Sequence, residues 1–185
     1  MKFGKATTER GSADLDSTDR AILELLQENC KQPFAGIGEK VGLSAPAVVE
    51  RVHKLEEAGI VQGYRAVLDA RKLGRDVTAF IGVSTERPGA IAAVESALGA
   101  LDEVLECHHV TGSHTLMLKV KTRNTESLER LIDSVREVEG VTRTETMVVL
   151  STHAERARIA LGDEFPEPRR GKRRPPESEA RGDER

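Results

Sequence analysis

The chain has 185 residues, 38% hydrophobic and 32% charged, a globular balance with room for one or two small domains, each with its own core. Its net charge of -3 gives no support by itself to a polyanionic partner, and its two cysteines, Cys30 and Cys107, form no CxxC pair and argue against a disulfide framework. No run is apolar enough to span a membrane and Met1-Lys2-Phe3-Gly4-Lys5 leads into no apolar stretch, so neither a span nor a secretory signal is expected, and the cytoplasm is the expected compartment.

Charge is unevenly spread. Residues 1–75 carry 12 Lys/Arg against 11 Asp/Glu, residues 76–164 carry 9 against 15, and residues 165–185 carry 7 against 5. An acidic middle beside a near-neutral first third is compatible with a DNA-binding unit followed by a different second unit. Residues 1–14 are polar with no apolar periodicity and are expected to form a flexible arm.

The first predicted helix covers residues 15–29. Asp16 suits its N-cap, Asp19 follows three positions on, and Ile22, Leu23, Leu25 and Leu26 supply a core face. A second helix is expected over residues 34–41 after Pro33. It contains Gly36 and Gly38, each costing roughly 1 kcal/mol relative to alanine, so a short or irregular helix is expected there.

Residues 41–59 carry the clearest local signals: Gly42 closes one helix, Ser44 can accept from the amide after Pro46, Pro46 fits a first turn, and Gly59 stops the helix. Val48, Val52 and Leu55 form a buried stripe. Ala47, Arg51 and Lys54 form a neighbouring stripe suited to close approach to a polyanion, diluted by Glu50 and Glu57. An ordinary amphipathic surface helix is the bland alternative. Two preceding helices and a short turn instead make it the recognition helix of a helix-turn-helix unit over residues 15–62, with Ser44, Ala45, Pro46, Ala47, Glu50, Arg51 and Lys54 as candidate DNA contacts.

Alternation over residues 60–68 predicts a wing or hinge strand, and residues 63–76 as a whole read as hinge strand and polar linker. From residue 77 the pattern changes. A strand at 78–85 precedes a helix opened by Pro88 with Ile91, Val94, Leu98 and Leu101 at helical spacing. Runs 104–111 and 114–122 flank Gly112-Ser113 as a hairpin. Asn124 or Thr125 caps a helix carrying Leu128, Leu131, Ile132, Val135 and Val138, Gly140 stops it, and residues 142–151 form the last strand. The expected class is α+β: a (winged) helix-turn-helix, then a ferredoxin-like βαββαβ unit over residues 77–156 whose two helices cover one sheet face. Val148, Val149 and Leu150 run consecutively, which suggests burial on both faces and hence a partner subunit.

Residues 157–185 read as a charged, disordered tail. Within it Arg169-Arg170-Gly171-Lys172-Arg173-Arg174 either adds phosphate contacts without sequence preference or only solubilises. Glu106-Cys107-His108-His109 invites a metal or nucleophile reading, but in a strand Cys107 and His109 share one face and His108 the other, with no second cluster to close a site. No metal and no cofactor are expected. A glycine-containing tip at Val110, Thr111, Gly112, Ser113 and His114 exposes amides and hydroxyls to an anion, with a plain β-turn as the alternative. No phosphate loop, HExxH, GxSxG or paired-carboxylate motif occurs, so an enzyme is not expected.

Leu15-Asp16, Asp19-Arg20, Ile22-Leu23, Leu26-Gln27, Val41-Gly42-Leu43-Ser44, Glu50-Arg51-Val52, Leu55-Glu56, Gly59-Ile60 and Gly63-Tyr64 together resemble the leucine-responsive regulatory protein/AsnC family of transcription regulators. The resemblance covers residues 15–156. It implies a regulator of double-stranded DNA, associated with the nucleoid, that pairs sheet to sheet into homodimers and assembles further, up to an octamer. It also implies a small-molecule effector, an amino acid or related metabolite, near residues 110–114 at a subunit interface. Two departures stand out: Gly36 and Gly38 replace better helix formers, and Gly112-Ser113-His114-Thr115 lacks the acids of the family's Gly-Asp-x-Asp. The second departure implies weak binding, or none, of an ordinary zwitterionic amino acid, with a protonated His114 repelling its ammonium group. An architectural protein that coats DNA with little sequence specificity and keeps a vestigial ligand site is the alternative.

Overall fold

The computed structural model describes residues 15–86, 89 and 91–161. The expected arm at 1–14, the helix-opening Pro88 and the basic run at 169–174 lie outside the described residues. The chain divides into two units, one ending at Arg65 and resuming from Ala157, the other running Ala66–Arg156.

The first unit is three helices: α1 (Ser17–Glu28), α2 (Phe34–Val41) and α3 (Ala45–Glu57). Asp16 and Asp19 form a reciprocal cap on α1. The Asp19 amide donates to Asp16 Oδ1 at 2.7 Å and the Asp16 amide to Asp19 Oδ2 at 3.3 Å, satisfying two donors that the helix itself leaves open. Ile22, Leu23, Leu26, Ile37, Val48, Val52 and Leu55 are buried together, each full burial contributing roughly 1.5–3 kcal/mol.

Helix α2 is short, as expected, at eight residues over the expected range, and it is regular despite its glycines. Gly38 serves the turn that follows. A Cβ built there collides with the carbonyl oxygen of Leu43, whose amide donates to Gly38 O at 2.9 Å, while Gly36 faces open space. Gly42 takes the left-handed conformation at φ 72° that closes α2.

Residues 62–69 form no strand within their units, which corrects the expected wing: the run has the alternating pattern but no ladder partner. A 3₁₀ turn at Arg71–Leu73 follows, held by Asp69 Oδ1 accepting from the amides of Arg71 and Lys72 at 3.1 and 3.3 Å.

The second unit contains β1 (Val77–Thr85), α4 (Ile91–Leu98), β2 (Val104–His109), β3 (Leu116–Thr122), α5 (Thr125–Arg136) and β4 (Val141–Val148). The strands form one antiparallel sheet in the order β2-β3-β1-β4, the expected ferredoxin-like arrangement. Ala79, Ile81, Val83, Leu116, Leu118 and Val120 face α4 and α5, meeting Val94, Leu98, Leu128, Leu131 and Val135 in a second core. On the opposite face Phe80 and Met147 are exposed. Val148 and Leu150 are exposed as well, so the expected burial on both faces is not met within one chain. Strand β4 is an edge strand, and it ends at Val148 rather than at residue 151.

Candidate nucleic-acid interface and effector loop

The turn and capping residues fix how α3 is presented. Ser44 Oγ accepts from the Ala47 amide at 3.4 Å and Pro46 sits in the first turn, while Val48, Val52 and Leu55 hold the helix against α1 and α2. With that stripe inward, Pro46, Val49, Glu50, His53 and Lys54 are exposed on the outward side. Val49 and His53 were absent from the set expected from sequence. Their positions opposite the buried stripe on a helical wheel were the available signal.

Ala47, Glu50, Arg51 and Lys54 line a cleft of about 510 Å³ together with Asp19 and Leu43. Arg51 does not project outward. Its Nη1 lies 2.6 Å from Asp16 Oδ2 and 2.7 Å from Asp19 Oδ1, tying α3 to the capped start of α1. Hydrogen bonds that Arg51 donates to the two carboxylates raise its pKa, and the Asp19 amide, followed by Arg51, lowers that of Asp16. Lys54 pairs with Glu50 at 2.7 Å, which lowers the Glu50 pKa. His53 Nδ1 is 3.9 Å from Glu57. The cations of this helix are thus already faced by carboxylates. Beyond the helix, the Tyr64 hydroxyl donates to Glu56 Oε1 at 2.8 Å, and burial together with that carboxylate pushes the phenol up to about 12.

The chain returns to this unit at its far end. The Ile159 amide donates to Gln27 Oε1 at 2.7 Å and Gln27 Nε2 donates to the Ile159 carbonyl at 3.1 Å. Leu161 packs against the helical core. Residues 157–161, expected to begin a disordered tail, are therefore docked on α1, because the backbone of an extended segment matches the donor and acceptor of one amide side chain.

In the second unit the loop between β2 and β3 spans residues 110–115, longer than the expected two-residue turn. The Val110 amide donates to Thr115 O at 3.0 Å and the Thr115 amide to Val83 O at 2.9 Å, which draws the loop's end toward β1. Gly112 has φ 120°, a conformation that favours glycine. Thr111, Gly112 and Ser113 are exposed and Val110 is half-buried.

His114 is placed differently from the expectation that it would stand at the tip and repel a cation. Its ring folds over Gly82, so closely that a Cβ there would lie 2.5 Å from Cδ2. Its side chain is only 10% exposed, Nε2 lies 3.5 Å from Glu145 Oε2, and Nδ1 is buried without a partner among the described residues. Glu145 also approaches Arg143 at 3.7 Å. The acids missing from the loop sequence thus have a carboxylate neighbour on β4, close to the loop by way of His114.

The Glu106-Cys107-His108-His109 run forms an ion-pair ladder. His108 Nε2 lies 3.2 Å from Glu106 Oε2, Lys119 Nζ lies 3.2 Å from Glu106 Oε1, and Lys119 also pairs with Glu155. Burial raises the Cys107 thiol pKa, the opposite of what a thiolate nucleophile needs. Among the described residues no group of three or more His, Cys, Asp or Glu is placed to hold a metal ion, and no helix is long and apolar enough to cross a membrane.

Residues 15–56 match the family described as AsnC-type helix-turn-helix domain, and residues 78–159 match the Lrp/AsnC ligand binding domain. An HTH-type transcriptional regulator FL11 of Pyrococcus horikoshii is 33% identical over 147 residues, covering 80% of this chain and 97% of that protein. The regulatory protein AsnC of Escherichia coli K12 is 35% identical over 141 residues, 74% of this chain and 90% of its own length. The structure of a transcriptional regulator of Neisseria meningitidis in complex with L-Met superposes with a TM-score of 0.76 at 29% identity, covering 80% of this chain and 97% of that one.

Proposed function

The chain belongs to the Lrp/AsnC family of helix-turn-helix transcriptional regulators, and from that premise we propose that it inserts α3 into the major groove of duplex DNA, as a homodimer whose binding a small-molecule effector modulates. The carrying observation is the presentation of α3: a capped helix, packed along one stripe on α1 and α2, with Pro46, Val49, Glu50, His53 and Lys54 outward. Val49 offers an apolar contact for a thymine methyl group and Lys54 a donor for guanine or phosphate. Ser44 and Ala45, at the helix start, approach the backbone, where the positive end of the helix favours phosphate. Ala47 and Arg51 support the helix from the cleft beside α1.

Arg51, held by two carboxylates, is withdrawn from phosphate neutralisation, which favours a sequence-reading regulator over a protein that coats DNA by charge, since coating depends on free cations. Dimerisation through the open sheet face is supported by Phe80 and Met147 exposed on it. The effector reading rests on residues 110–114 and on the L-Met complex of the Neisseria relative. In this chain an amino acid's carboxylate would meet the exposed amides near Gly112, and Glu145 supplies a carboxylate for its ammonium group. The test is binding of the purified protein to its own upstream DNA and to unrelated DNA at two salt concentrations, with and without an amino-acid panel. Preference for the upstream DNA that one metabolite changes is the expected result. Equal, steeply salt-dependent binding to both overturns it in favour of coating.

A further inference from the structure

We propose that a cleft of about 300 Å³ on the second unit, lined by Arg75, Arg123, Arg130, Ser127, Glu103 and Leu131, is a phosphate-recognition site fitted to a small hydroxylated phosphate ester. Three arginines border one concavity in a stretch, residues 76–164 with Arg75 just before it, where acids outnumber bases 15 to 9. Neither Arg75 nor Arg123 makes an ion pair among the described residues, while Arg130 pairs with Glu126 at 2.7 Å in an exposed i,i+4 arrangement. Such an exposed pair is weak and exchanges readily for a better anion. Three cations against the single lining carboxylate of Glu103 leave excess positive charge, and a dianion in the cleft converts their repulsion into charge-assisted hydrogen bonds.

The surrounding backbone fixes where these side chains start. Arg75 is half-buried at the end of the 3₁₀ turn, its amide donating to Ala70 O at 2.8 Å. Arg123 directly precedes Asn124, which caps the twelve-residue α5, so the helix's positive end adds to the field. Leu131 is buried and forms an apolar floor. Glu103 disfavours a bare anion beside it but accepts from a hydroxyl, which is why the fit is to a phosphate ester carrying hydroxyls rather than to inorganic phosphate alone. The volume lies at the small end of ligand sites.

The phosphate group has two possible sources, a free metabolite and the DNA backbone, and the experiment separates them. Ribose 5-phosphate, inorganic phosphate and sulfate are titrated calorimetrically into the full chain at constant ionic strength, and into Arg75→Ala/Arg123→Ala and Arg123→Ala variants with unchanged melting temperature. The expected result is saturable ribose 5-phosphate binding, stronger than that of either inorganic ion and weakened about tenfold or more in the double variant. Equal weak heats from all three anions, unaffected by the substitutions, overturn the site. If ribose 5-phosphate fails to bind while the double variant flattens the salt dependence of DNA binding by about 1.8 log units per decade, the phosphate belongs to DNA and the metabolite assignment is overturned.

Discussion

Replacing Arg51 with alanine separates a structural role from a DNA-reading one. Its guanidinium bridges Asp16 and Asp19, at 2.6 and 2.7 Å, and these carboxylates also cap α1. Side-chain exposures of 33% for Arg51, 51% for Asp16 and 16% for Asp19 place the network partly in solvent, so each pair contributes about 0.5 kcal/mol and the network about 1 kcal/mol. A base contact would instead cost about 1–3 kcal/mol of DNA affinity and leave folding untouched. Urea unfolding of Arg51→Ala, Asp19→Asn and the double variant, alongside operator binding, distinguishes the two. A strut gives a coupling of about 0.5–1 kcal/mol in the cycle with the selectivity ratio retained. Unchanged stability, zero coupling and lost selectivity would refute it. The pH dependence gives a second check on the Asp16 pair. The carboxyl pKa of Asp16 is lower folded than unfolded, so its contribution is complete above the ordinary carboxylate range and disappears as pH falls through the lowered value. Coupling between Arg51 and an Asp16→Asn substitution should therefore be present at neutral pH and fade as pH falls through that lowered value.

Gly38→Ala should destabilise the helical unit by about 2 kcal/mol in urea unfolding, because the added methyl meets the Leu43 carbonyl, while Gly36→Ala, in open space, should stabilise it by about 0.5–1 kcal/mol. Equal effects at the two positions would contradict the close approach at the turn. Gly82→Ala should cost about 1–3 kcal/mol and displace the His114 ring, read as a change in its imidazole NMR signals; an unmoved ring would contradict its packing over β1. Gln27→Ala should remove both hydrogen bonds to Ile159, at about 0.5–1.5 kcal/mol each, and speed hydrogen exchange of the Ile159 amide without affecting α5.

The loop at residues 110–115 and helix α3 illustrate two different ways a candidate site is built. Helix α3 owes its orientation to a short-range code, cap, proline, stripe and stop, so its outward side follows once the inward side is known. The loop at residues 110–115 owes its shape to contacts with β1 and β4, strands that lie about 30 residues away in sequence on either side. Its hydroxyls and amides are exposed as the residue types suggest, but its histidine is turned away from the tip.

What the sequence determined by itself is what acts within a few residues: the Asp16 and Asn124 caps, the stripes of α3 and α5, the left-handed Gly42, and the β-prone runs that made four strands. These signals depend on hydrogen bonds and side-chain periodicities closed within one turn or one strand, so reading order along the chain is enough. Tertiary structure alone decided that Gly38 is needed by the turn rather than tolerated in the helix, and that Arg51 answers Asp16 and Asp19 across 35 and 32 residues. It likewise decided that His114 covers Gly82 and that Gln27 holds Ile159. Each of these is a meeting of groups distant in sequence, and no local pattern encodes the distance at which two such groups come to rest.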